Sequence, residues 1–196
     1  RALYDFVVTE LSNGYLNATK DRVYCGEKKG LERRSALTVW AQILSMLVHD
    51  LQPILCFTCD EAMSFLPESL RDGQKYAALL DWYQAPWTDD ECAEKLAAYE
   101  QLSAARDAFT KAFEEAKDAG TVTEKTSQGA RARLTLTADA ASALEGVDLA
   151  EVFVCSEVEV GVGDELACTV EPAQGEKCPR CWNYRQLGPD GLCCRW

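Results

Sequence analysis

Leu37-Thr-Val-Trp40-Ala41-Gln-Ile-Leu44-Ser-Met-Leu47-Val48-His49-Asp-Leu51 sets apolar side chains three and four residues apart. That step is the 3.6-residue period of an amphipathic helix, and it predicts a helix over about 32–51. Trp40 lies on the apolar stripe and is expected in the core. His49, the single histidine, reads as a partly buried structural residue. Pro53 ends the helix. Beyond it, Thr58 followed by Glu61 has the spacing of a capping box for a short helix reaching about Leu66. Upstream, Leu3, Phe6, Val7, Leu11, Tyr15 and Leu16 predict another helix over 2–19, followed by a polar, Gly-punctuated loop over 20–30.

Downstream, residues 67–90 carry Pro67, Gly73 and Pro86 and read as irregular. A long helix is expected from about Asp90 to Ala119, with acidic residues in its first turn and Gly120 past its end. Its expected buried stripe is Leu96, Tyr99, Leu102, Phe109, Phe113 and Ala116. After Gly120 the pattern changes. Residues 132–137 alternate apolar and polar like a half-buried strand, and a short helix is expected over 138–144. Residues 150–155, 158–162 and 165–170 all read as strands. The expected fold class is mainly α: a helical bundle over 1–120, a small α+β unit over 121–174, and a distinct tail over 175–196.

The 196 residues are 47% hydrophobic and include five tryptophans, which excludes a wholly disordered chain. No apolar run reaches the roughly 18–20 residues of a membrane span, and no secretory leader is visible. A cytoplasmic protein without membrane contact is the expectation. Arg1 leads directly into an apolar-periodic stretch, so the chain is expected to be a piece of a longer protein. The net charge of −12 argues at first against a nucleic-acid partner. The charge is uneven, however. Residues 1–35 and 176–196 each carry a net +2, whereas 36–175 carries −16, so an anion is locally welcome only near the two ends. The only dense basic run is Lys20, Arg22, Lys28, Lys29, Arg33 and Arg34. It reads either as a phosphate-contacting surface or as a solvated helix and loop.

Ten cysteines are too few for a disulfide scaffold at this length. Most stand singly in apolar or helical surroundings, where free cysteine acts as a small buried hydrophobe. Cys56-Phe-Thr-Cys59 has no partner pair nearby and reads as structural. The tail differs: Cys178-Pro-Arg-Cys181-Trp182 is followed after a short connector by Cys193-Cys194. A Cys-x-x-Cys knuckle aims two thiolates at one ion, and a second pair completes a tetrahedral Zn2+ site. Such a site folds a segment of about 20 residues that cannot bury a core of its own. Strict Cys-x-x-Cys symmetry puts the fourth ligand at position 196, which is Trp196. The fourth ligand is then Cys194, or the tail is a degraded site that holds no metal.

The stretch Leu16-Asn-Ala-Thr-Lys-Asp-Arg-Val-Tyr24, the run from Arg33-Arg34-Ser35 through Gln52-Pro53 to Asp60-Glu61, and Gly175-Glu-Lys-Cys178-Pro-Arg180-Cys181-Trp182 fall in one order. In that order they resemble the C-terminal part of the bacterial isoleucyl-tRNA synthetases. The similarity covers essentially the whole chain. It implies an anticodon-binding helical bundle of the class I synthetase type, a junction region and a C-terminal zinc finger. It also implies a parent enzyme that charges tRNA with isoleucine using ATP and Mg2+. With one histidine and no Lys-Met-Ser-Lys run, the chain carries neither catalytic signature of that class, so no catalytic residue is expected.

What the resemblance implies for the tail is that Cys178, Cys181 and Cys193 supply metal ligands and that Arg180 and Trp182 lie against anticodon bases; the family's last cysteine falls at Trp196, so Cys194 is the expected substitute as fourth ligand. Lys20, Arg22, Arg33 and Arg34 are the expected further RNA contacts. The implied partners are isoleucine tRNA and the rest of the synthetase chain, with the protein itself a monomer. Two other readings start from the same cysteines. One is the finger-bearing end of a DNA-repair glycosylase, which requires a helix–two-turn–helix and an N-terminal catalytic proline that are not found here. The other is a cytoplasmic redox or protein-interaction module, which predicts a Cys178–Cys181 disulfide and no affinity for tRNA.

Overall fold

The computed structural model describes residues 1–193, with the side chains of residues 89, 91 and 94 excepted. The chain divides into two compact units, Arg1–Gly26 with Asp89–Trp196, and Glu27–Thr88. The expected boundaries at 120 and 174 fall inside the first of these.

In the first unit, three helical segments, Ala2–Asp5, Phe6–Leu16 and Asn17–Tyr24, follow one another without a break, the middle one in wide π geometry. The helix therefore runs five residues further than the periodicity of 2–19 suggested. The long helix Asp89–Asp118 closes with Gly120 at φ 72°, a left-handed position that favours glycine. Ala105, Phe109 and Phe113 recur every four residues on its buried face and pack with Leu134, Leu136 and Phe153. Leu96 and Tyr99, expected in the same stripe, are exposed. The hydroxyl of Tyr99 instead donates to the Glu10 carboxylate.

The sheet has the order β2-β1-β3, with β1 Ala130–Leu136, β2 Glu157–Val162 and β3 Ala167–Pro172. β1 runs parallel to β2 and antiparallel to β3, pairing Leu134 with Val160 and Cys168. Ala132, Leu134 and Leu136 of β1 face the core, while Arg131 and Arg133 face outward and pair with Glu157, Glu159 and Glu171.

A parallel pair needs a crossover. Helices Ala138–Ala143 and Leu149–Phe153 provide it. Residues 150–155, which read as a strand from their Val and Phe, are therefore mostly helical. Two local contacts explain the difference. The Asp148 carboxylate accepts from Glu151 N at 3.1 Å and caps the helix start, and Val154 ends it in left-handed geometry at φ 55°. Phe153 then stacks on Phe109 at 4.8 Å between ring centroids.

In the second unit, Leu31–Leu51 packs on Cys56–Phe65 around Val48, Cys59, Met63, Ala77 and Leu80. The apolar stripe is buried mainly at its C-terminal end. Leu37 is exposed and Trp40, expected in the core, is only half-buried. The capping box does not form. The helix starts at Cys56 with Leu55 at the cap, and Thr58 sits inside its first turn. The backbone turns tightly out of the preceding helix, with Leu55 N bonded to Leu51 O at 2.8 Å, so the start is fixed before Thr58 is reached. Residues 67–88 hold only the short 3-10 turns Glu68–Leu70 and Ala77–Leu79. Side chains satisfy their backbone: Asp60 accepts from Ala77 N at 2.9 Å and Asp50 from Tyr83 N at 3.2 Å. His49 is buried, with Nδ1 2.9 Å from the Asp81 carbonyl and its ring edge-on to Tyr83.

Candidate nucleic-acid interface and metal knuckle

The tail is built on a short antiparallel pair, β4 Glu176–Lys177 with β5 Tyr184–Arg185. Between them the Cys-Pro-Arg-Cys turn closes through Cys178 N to Asn183 O and Trp182 N to Cys178 O, both 2.9 Å. A second turn, with Gly191 at φ 74° and Gly188 N bonded to Leu192 O at 2.7 Å, folds the chain back through the Leu187–Cys193 bridge. Pro189, Asp190 and Gly191 in that turn thus return Cys193 to the knuckle.

The sulfurs of Cys178, Cys181 and Cys193 all lie within 4.8 Å of one another, and all three residues are buried. Cys181 and Cys193 Sγ are 3.6 Å apart. Four thiolates around one Zn2+ at about 2.3 Å stand roughly 3.8 Å apart, so the donor set fits a tetrahedral ion. Burial opposes ionisation of Cys178, but backbone N–H groups of Cys181, Cys193 and Arg180 outweigh it and bring its pKa down to about 6. Cys181 is pushed up to about 12, chiefly by burial, with the neighbouring sulfurs adding to it. The three cysteines could together hold a metal. Cys194, the expected fourth ligand, and Trp196 lie outside the described residues.

Trp182 directly follows the second knuckle cysteine. Its φ is 65°, a left-handed conformation that costs a non-glycine residue about 1 kcal/mol or more, and it is 58% exposed. A large aromatic ring is therefore held out in water at a position where glycine is the relaxed choice. Arg180, also exposed, donates from Nη2 to the Cys25 carbonyl at 3.3 Å, and the Cys25 thiol approaches the Arg180 carbonyl at 3.8 Å. The guanidinium thus bonds a carbonyl just past the end of helix Asn17–Tyr24.

The expected basic contacts separate. Lys20 and Arg22 share a unit with Arg180 and Trp182, while Arg33 and Arg34 belong to the other. Lys20 donates to Asn17 Oδ1 at 3.0 Å. Arg33 donates to the Lys28 carbonyl at 3.2 Å, and Arg34 is exposed. Arg22 is corrected. Both prongs of its fork engage Glu151, with Nε 2.6 Å from Oε1 and Nη2 on Oε2. The Glu151 side chain is 7% exposed, and burial of that carboxylate demands a cation. Arg22 thus joins two helices. Buried polar residues against the knuckle, Gln128, Ser156 and Asn183, were invisible in the sequence because nothing local marks them.

Residues 1–136 match the family described as the anticodon-binding domain of tRNA ligase. The chain belongs to that family. It is also similar to isoleucine–tRNA ligases. It is 37% identical to that of Desulfovibrio desulfuricans, over 96% of this chain and 21% of the relative. It is 34% identical to isoleucine–tRNA ligase 2 of Burkholderia mallei, over 99% and 21%. It is 32% identical to the enzyme of Natranaerobius thermophilus, over 93% and 21%. The chain thus spans about a fifth of the length of these curated relatives. Among the described residues no helix is long and apolar enough to cross a membrane.

Proposed function

We propose that this anticodon-binding chain is the tRNA-reading part of an isoleucyl-tRNA synthetase, docking the anticodon region of isoleucine tRNA. The catalytic domain beyond the chain then joins isoleucine to that tRNA using ATP and Mg2+. The observation that carries the reading is the exposed, left-handed Trp182 beside the three-cysteine cluster. Unpaired RNA bases are read by stacking on aromatic faces, and a strained, solvent-facing indole is a platform of that kind. Arg180 adds a planar fork for a base edge or phosphate. Lys20, Arg33 and Arg34 are assigned to phosphate contacts and Arg22 to holding the helices. Residues 1–120 supply the anticodon-binding helices, 121–174 the junction and 175–196 the zinc tail. The protein acts as a cytoplasmic monomer, away from membranes. The family match and the relatives support this reading over a glycosylase finger or a redox module. Binding is tested by titrating the chain with isoleucine tRNA and anticodon-altered versions at two salt concentrations.

Cys178, Cys181 and Cys193, with Cys194 as the fourth ligand, would hold Zn2+. When bound, the ion ties together a tail too short to bury a core of its own. Elemental analysis is expected to find one zinc per chain, and Cys193→Ser to lose it. Full zinc in Cys193→Ser would contradict the site, and full zinc in Cys194→Ser would place the fourth ligand elsewhere.

A further inference from the structure

The tail meets the sheet through buried polar groups that play no part in the RNA contact just assigned. Ser156 is 4% exposed and lies just before β2. Its N–H donates to the Ala130 carbonyl at 3.0 Å, so it sits beside the start of β1. Its hydroxyl donates to the Gln128 carbonyl and accepts from Tyr184 N at 2.7 Å. The Gln128 side chain, from a residue 7% exposed, donates through Nε2 to the Cys181 carbonyl at 3.4 Å. Arg185 Nη2 reaches the Ser156 carbonyl at 3.4 Å. Buried hydroxyl and amide groups cost free energy unless they are bonded, so the bonds made by Ser156 and Gln128 hold their partners in one arrangement.

The two anchored points lie on either side of Trp182. Gln128 holds the carbonyl of Cys181, one residue before it, and Ser156 holds the N–H of Tyr184, two residues after it. The left-handed turn is therefore clamped to the sheet at both flanks. The knuckle's own bonds, Cys178 N to Asn183 O and Trp182 N to Cys178 O, close the turn but do not orient it against the sheet. We propose that Gln128 and Ser156 are positioning residues that aim Trp182 at its RNA base, a task separate from the closure of the knuckle by metal. This rests on the reading that Trp182 stacks on tRNA. Groups that orient metal ligands from one layer behind change affinity or activity by about 10- to 100-fold when removed, and the same orienting logic applies to Trp182.

The test uses the full 196-residue chain with Ser156→Ala, and with Gln128→Met, which removes the donor while keeping a side chain of similar length. Trp182→Ala serves as the reference. Zinc content, amide exchange and binding to isoleucine tRNA and to an anticodon-altered tRNA are measured for each. Both positioning variants are expected to keep wild-type zinc and slow exchange in β1–β3. Ser156→Ala is expected to speed exchange at Tyr184. Both are expected to lose about tenfold of the preference for the isoleucine anticodon, with little change in binding to the altered tRNA. Loss of zinc together with the preference would assign them to metal closure and overturn the proposal. Wild-type preference in both, while Trp182→Ala loses it, would overturn the positioning role and leave the stacking role standing. Wild-type preference in Trp182→Ala, or no tRNA binding by the unaltered chain, would overturn both. If Ser156→Ala loses protection in β1–β3, Gln128→Met alone decides.

Discussion

Trp182→Gly is expected to make the protein more stable and a worse tRNA binder. The two effects have separate physical sources, which is why they oppose each other. At φ 65° the indole residue occupies backbone space that glycine enters freely, so glycine relieves about 1 kcal/mol of strain. The side chain is 58% exposed and contributes little packing to offset that gain. Stacking of one RNA base on an aromatic face is worth about 1–3 kcal/mol, so affinity should fall roughly fivefold to more than a hundredfold. The anticodon preference should fall with it, because phosphate contacts elsewhere are blind to base identity. Thermal melting and tRNA titration of the same sample check both signs. A less stable variant with unchanged tRNA affinity would make Trp182 a packing residue and remove the basis for the RNA reading.

The second large effect concerns Arg22 and Glu151. Arg22→Ala leaves a carboxylate that is 7% exposed without its bidentate partner. Breaking a buried pair from one side costs about 3–5 kcal/mol. Because the Arg22 side chain is itself 34% exposed, the low end of that range, about 3 kcal/mol, is expected. At this size that is roughly 6–12 °C in Tm. Arg22→Ala combined with Glu151→Leu should recover most of the loss, since no stranded charge remains. Denaturant melts of the three variants check the sign and the recovery. If the double variant is no better than Arg22→Ala, the cost comes from lost packing of the arginine stem and not from the buried charge.

The same pair marks where sequence reasoning stops. In sequence Arg22 belongs to a basic run with Lys20, Lys28 and Lys29. Its partner lies 129 residues away, and no local pattern announces it. Periodicity served well for the helices at 31–51 and 89–118, and strict alternation served for β1, because those signals are local. Leu149–Phe153 misled because Val and Phe carry strand propensity, while the Asp148 cap and the crossover demanded by parallel pairing were decisive. The Cys-x-x-Cys spacing located the knuckle, and the Pro-Asp-Gly turn that returns Cys193 is also a local signal. The left-handed Trp182 and the Gln128–Ser156 seam are not, because a backbone dihedral and a contact across tens of residues leave no composition behind. The charge of −12 is also clearer in place. In the sheet Arg131 and Arg133 answer Glu157, Glu159 and Glu171, so part of the acidic excess is solvated framework and not a barrier around the tail.

The most direct test of tRNA reading is to move the anticodon. The 196-residue chain is titrated with isoleucine tRNA, with the same tRNA carrying a foreign anticodon, and with an unrelated tRNA carrying the isoleucine anticodon loop. Affinity should follow the anticodon loop into the unrelated tRNA and weaken only moderately as salt rises, since few cations carry the contact. Equal affinity for all three would contradict anticodon recognition by this chain.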